Sequence, residues 1–161
     1  MPIEYSKTVP FTGHASKALA VARSAFINLG FNIVTNTDYE IRVTGRGMTS
    51  TRENALKGVT EADIIIRPTT IEVKAVLGGA QKMKTFLRIF PLAMAVFFLI
   101  VFGVIAAIAP TFRIWWIFLI PVAVLAPWLV LAPLIGRSIE NNTKQAVDTL
   151  VNNMIMLSSE F

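Results

Sequence analysis

The chain has no cysteine and a single histidine among 161 residues. Without cysteine there is no disulfide, no thiolate metal site and no thiol nucleophile. His14 has no acidic neighbour in sequence, so a role as base or metal ligand would need partners delivered by folding. Its position reads more simply as a surface residue at a helix start. The first residues, Met1-Pro2-Ile3-Glu4-Tyr5, lack a basic segment followed by an apolar one, so no cleavable signal peptide is expected.

Phosphate motifs are also incomplete. Gly45-Arg46-Gly47 follows a predicted strand, and Ser50-Thr51-Arg52-Glu53 fits a capping box opening a short helix through Leu56. Such a strand, loop and helix start can cradle an anion on free backbone N–H groups. Ser50 nevertheless stands where a dinucleotide fingerprint needs its third glycine, and no Walker lysine follows Gly47. Two glycines in a surface loop are the plainer reading. Glu53, Glu61, Asp63 and Glu72 read as solvated-face carboxylates, with no pair marked for acid–base work. No catalytic, cofactor-binding or metal-ligating set is expected, and no cofactor.

Charge is missing altogether from two long stretches, residues 89–112 and 114–136, separated only by Arg113. Each exceeds the ~20 apolar residues that a helix needs to cross a bilayer. Residues 109–113 leave room for a tight turn, so the sequence predicts a two-helix transmembrane hairpin over 89–136. Five basic residues (Lys82, Lys84, Arg88, Arg137 and Lys144) flank its outer ends, against Arg113 in the turn. The positive-inside rule then places both termini in the cytoplasm, with two spans in the cytoplasmic membrane. Trp115 and Trp116 suit the opposite headgroup layer. No ionisable residue interrupts either stretch, which argues against ion or proton transport.

The net charge of +5 comes largely from Arg113 and the juxtamembrane Lys82, Lys84 and Arg88, so nucleic acid is not an expected partner. That basic cluster could attract anionic lipid, although topology determination accounts for most of it. Asn141-Asn142-Thr143 matches a glycosylation sequon on the predicted cytoplasmic side and is read as accidental.

The remainder is patterned. Residues 3–11 alternate in strand period, with Lys7 interrupting the apolar face, as suits an edge strand. A helix follows, with Thr12 as candidate N-cap, an apolar stripe of Ala15, Leu19, Ala22, Phe26 and Leu29, and Gly30 as its stop. Residues 31–36 and 40–44 read as strands about an Asn36-Thr37-Asp38 turn, and 62–67 with 70–77 as a hairpin about Pro68-Thr69. The order β-α-β-β-β-β predicts an α+β domain over 1–78: an antiparallel sheet with one covering helix and a second face left polar or open to a partner. Residues 79–88 then form a basic juxtamembrane linker, and 137–161 a cytosolic amphipathic helix.

Three features point to association. Pro121, Pro127 and Pro133 each remove a backbone hydrogen bond from the second span, and neighbours must satisfy the freed carbonyls. Gly103 with Ala107, and Ala132 with Gly136, form small-xxx-small pairs for close helix approach. The tail stripe Val147, Leu150, Met154, Leu157 and Phe161 is a seam for a partner or for the bare sheet face of the same chain. The expected function is a non-enzymatic, membrane-anchored accessory or scaffold subunit of a larger membrane complex or homo-oligomer, with the bilayer and other membrane subunits, or itself, as partners. One alternative is a membrane-tethered sensor or enzyme taking an anionic ligand near Gly45 and Glu53. Another is a small oligomeric channel or transporter.

Overall fold

The computed structural model describes residues 3–108 and 119–159. They divide into two compact units, Met1–Met83 with Ser138–Phe161, and Lys84–Arg137. In the first unit the alternating segments become five strands: β1 (Glu4–Pro10), β2 (Asn32–Asn36), β3 (Glu40–Thr44), β4 (Glu61–Ile66) and β5 (Thr70–Val76). All pairs are antiparallel, and the sheet order is β1-β5-β4-β3-β2. Helix α1 (Ala15–Asn28) joins β1 to β2, and two long helices follow, α2 (Gly78–Ile108) and α3 (Leu119–Ser159). Both contribute residues to both units.

Strand period sorts the side chains. Ile41, Val43, Ala62, Ile64, Ile71, Val73 and Ala75 lie on one face and are buried. Glu4, Ser6, Arg42, Glu61 and Lys74 fall on the other and are exposed. Helix α1 buries Ala18, Leu19, Ala22 and Phe26, with the Phe26 ring edge-on to Phe31 at 5.1 Å. Gly30 ends the helix region at φ +80°, a conformation that suits glycine. The start differs from expectation. His14, not Thr12, is the N-cap, and it makes no side-chain cap; its N–H instead donates to the Ser158 carbonyl at 3.2 Å.

One helix does not cover this sheet. Five strands at ~4.8 Å spacing are ~19 Å wide, whereas a helix with its side chains covers ~10 Å. Helix α1 packs against β2 and β3, leaving the β1–β5 side of the apolar face bare. The C-terminal part of α3 closes it, burying Val147, Leu150, Val151 and Met154. The two helices therefore share one face, and the tail does not dock on the open one. Close contacts require small residues: a methyl group at Gly58 would lie 2.2 Å from Thr143 Oγ1, and one at Gly13 2.5 Å from Ser158 Oγ.

The tail is also held by charge. Asp148 accepts hydrogen bonds from the Tyr5 hydroxyl and from Lys7 Nζ, both at 2.6 Å. Tyr5 and Lys7 lie opposite Ala75 and Val73, on the covered face. Lys7 thus interrupts the apolar face of an edge strand because a helix brings it a carboxylate. Partial burial alone would raise the Asp148 pKa, but the bonds from Lys7 and Tyr5 outweigh it and hold the group below its ordinary value. Burial, then the bond to Asp148 and its charge, push the Tyr5 hydroxyl up to about 12.

Gly78 and Gly79 begin α2 under close cover: a methyl at Gly79 would stand 2.7 Å from the Lys57 carbonyl oxygen, and one at Gly78 2.5 Å from Thr60 Oγ1. Residues 79–88 are helical within α2.

Among the described residues α2 alone is long and apolar enough to cross a membrane. They supply one such helix, not the two of a hairpin. The second uncharged stretch begins among residues 109–118, outside the described residues, as do the turn, Arg113, Trp115 and Trp116. Helix α2 is not a core helix. Leu92, Phe97, Ile100 and Val104 are exposed, and Ile108 is 78% exposed.

The Asp148 clamp predicts a pH signature. Its carboxyl is held low in the folded state, so its contribution is complete above the ordinary carboxylate range and fades as the pH falls through the lowered folded value. Asp148→Asn should cost ~1 kcal/mol near neutrality, since the site is a third exposed and partly screened. Thermal melts of the two proteins should converge on acidification; a constant difference down to low pH would mean that the charge does not hold the tail.

Candidate functional site

The glycine loop is built for its own chain. A methyl at Gly45 would lie 2.5 Å from the Phe31 ring, so this glycine admits the ring edge that closes the core. Gly47 has φ +85° and lies against Thr60 and Gly79. The anticipated capping box does not form. Glu53 turns back to accept from the Thr49 N–H at 3.3 Å and from the Thr49 hydroxyl, while Lys57 Nζ lies 3.5 Å away. The helix beyond is a single 3-10 turn, Ala55–Gly58, capped by the Asn54 side chain, which accepts from Leu56 N–H at 2.9 Å. Asn54 wins because its short side chain reaches that amide from the adjoining position.

A cavity of about 370 Å³ opens beside this loop, lined by Phe31, Arg46, Thr49, Glu53 and Lys57 among others. Of the donors in its lining, the Thr49 N–H and hydroxyl and the Lys57 ammonium are engaged with Glu53, and Arg46 is a further cation there. The Glu53 carboxyl is held below the usual range, first by the Thr49 hydroxyl bond and also by Lys57. An anionic ligand that used Thr49 or Lys57 would have to displace the protein's own carboxylate.

The open sheet face carries an ionic ladder. Arg42 reaches Asp63 across β3 and β4 at 2.8 Å, and Glu72 receives Lys74 at 2.9 Å and Arg67 at 3.2 Å. Glu61 lies beyond, at the end of β4. Such exposed pairs are screened by solvent, add little to stability and keep the face in water. Among the described residues no group of three His, Asp or Glu could hold a metal ion. His14 stays at the exposed start of α1.

The association residues separate. Val147, Leu150 and Met154 are buried in their own unit, whereas Leu157 is 52% exposed and Phe161 lies outside the described residues. The buried stripe runs Thr143, Val147, Leu150, Val151, Met154, Ser158. It follows the 3.6-residue period of a straight helix, where the expected seam kept a seven-residue repeat and drifted onto Leu157. In the second unit Ala132 and Gly136 are buried, and a methyl at Gly136 would lie 2.9 Å from Lys84 Cγ. Gly103 and Ala107 are exposed, and nothing lies within 4 Å of a methyl placed at Gly103. Lys82 and Arg88 are exposed, and Lys84 is half-buried.

The decisive polar contact inside the second unit involves neither small pair. Pro91 sits inside α2. It has no N–H, so it leaves the Leu87 carbonyl, four residues earlier, without its helical donor. Trp128 of α3 supplies that donor: its indole N–H bonds the Leu87 oxygen at 2.6 Å. Pro127 and Pro133 also lie within α3, and the side chain of Pro121 is outside the described set. Pro91 of the first stretch thus carries the same requirement for a satisfied carbonyl as the prolines of the second. Counting back four residues from Pro91 identifies the orphan; only folding identifies the donor.

A double-mutant cycle tests this pairing. Trp128→Phe should destabilise the helix pair by ~1 kcal/mol beyond its packing loss, by denaturant titration in detergent micelles. In a Pro91→Ala background residue 91 regains its N–H and the carbonyl needs no indole, so the same change should cost less. Equal costs in both backgrounds would exclude the bond as the coupling. Comparison with family models, curated proteins and solved structures finds no match for this chain.

Proposed function

We propose that the protein is a non-enzymatic, membrane-anchored accessory or scaffold subunit. It works as a homo-oligomer or within a larger membrane complex. Helix α2 is one span and the uncharged residues 114–136 the other, with both termini cytoplasmic in the cytoplasmic membrane.

The observation that carries this reading is the bare apolar surface of α2. Large aliphatic and aromatic side chains from Ile89 to Ile108 remain uncovered by their own chain. A contiguous apolar surface of this extent in water is a liability, whereas in a bilayer it is solvated by lipid or by other helices. Gly103, with open space before it, offers a place where a second helix can approach closely. The first unit adds a sheet with one face closed by two helices and one left open. Such a face can meet a partner without disturbing the core. The ligand-sensor reading is weaker, because Glu53 already engages Thr49 and Lys57, two of the residues whose donors line that cavity.

Two measurements check the proposal. Cysteines placed at Thr85 or Ser138 should be protected from an impermeant maleimide in intact cells, and one at Thr111 should react; the opposite pattern would reverse the topology. Gly103→Leu should dissociate the oligomer or complex in mild detergent while the first unit keeps its melting transition. A wild-type protein that is monomeric in detergent and nanodiscs, with no cross-linked neighbour in membranes, would overturn the scaffold reading.

A further inference from the structure

We infer that the groove between α2 and α3 inside the second unit holds an anionic phospholipid of the bilayer, its phosphate on Arg88 and an acyl chain against Pro91 and Trp128. The inference rests on the membrane reading above and adds to it a specific lipid site.

The groove encloses about 390 Å³, lined by Arg88, Pro91, Leu125, Trp128, Ala132 and neighbouring aliphatic side chains. That volume lies within the usual range of small-molecule sites. Its wall is apolar apart from one end. The indole N–H, the obvious donor in that wall, is engaged with the Leu87 carbonyl at 2.6 Å, so the body of the groove offers an occupant only hydrocarbon contact. The end is Arg88.

Arg88 needs an anion, and its own unit has none to give. Residues 84–137 contain no aspartate or glutamate, and Arg88 is exposed. It directly precedes the uncharged run starting at Ile89, which puts a cation at the headgroup level of a helix that spans. A guanidinium presents a planar fork of donors that matches phosphate oxygens in pairs. An apolar groove and an arginine with no ion pair among the described residues together fit a molecule with a hydrocarbon tail and an anionic phosphate head. A helix from another protein would have to bring its own carboxylate to Arg88, whereas an anionic phospholipid carries tail and counter-charge in one molecule. Charge complementarity therefore favours lipid.

Full-length protein carrying Trp115→Phe and Trp116→Phe keeps Trp128 as its one tryptophan. In nanodiscs, quenching of its fluorescence by phosphatidylglycerol with brominated acyl chains is compared with that by brominated phosphatidylcholine. The expected result is an apparent affinity about fivefold higher for phosphatidylglycerol, the effect of one basic side chain near an anionic headgroup. Arg88→Gln should abolish that preference. Lys82→Gln, which removes the same charge from the same helix, should retain it. Equal quenching by both lipids, or equal loss in the two variants, would overturn the lipid site while leaving the membrane reading intact. Absence of quenching with the protein still in the disc would mean that protein fills the groove, and the lipid site fails. Failure to enter the disc at all would overturn the membrane reading itself.

Discussion

A five-stranded sheet is wider than one helix, and this geometry governs the first unit. Helix α1 shields the β2–β3 side, and the β1–β5 side must find cover elsewhere. The cover comes from the far end of the sequence. Met154 and Val151, fully buried, replace water over the strands, and Asp148 meets Lys7 and Tyr5 at the edge strand. Chain segments more than 140 residues apart are thus tied by the hydrophobic effect and one half-buried charge cluster. The loop-closure entropy of such a long separation rises only slowly with length, so the intervening residues add modestly to the cost.

A different constraint governs the second unit. Proline within a helix deprives the carbonyl four residues earlier of its donor, and here a side chain replaces the lost bond. Trp128 replaces it at Leu87, which fixes one point of contact between α2 and α3. Ala132, Gly136 and the Lys84 stem then come together within the same unit. Small residues in the second helix serve contacts within the chain, while Gly103 in the first stays uncovered. This division supports the proposed role. Part of the apolar surface is used to pair the helices, and the rest stays exposed.

Much of the first unit could be read from the sequence, because period two and period 3.6 are local properties. Glu40–Thr44 and the hairpin about Pro68-Thr69 follow directly from alternation and turn chemistry. The second covering helix was not legible in position, because alternation along each strand does not show that the apolar face is wider than one helix. Lys7 held the missing clue: a cation at an inward strand position requires a carboxylate, and Asp148 lies beside the tail stripe. At the glycine loop, spacing suggested an anion cradle. Gly45 is instead small because the Phe31 ring lies against it, a contact between elements that spacing cannot express. The two-span hairpin was the boldest expectation, and the described residues support one apolar helix of spanning length.

Everything in the first unit depends on the tail completing the sheet domain. The direct test compares residues 1–83 alone with residues 1–83 joined by a long glycine–serine linker to 138–161. The joined protein should melt cooperatively, with slow amide exchange in β1 and β5. The shorter fragment should expose the β1–β5 side, bind a hydrophobic dye and exchange those amides rapidly. Equal melting temperatures and equal protection of β1 and β5 in the two proteins would contradict the account.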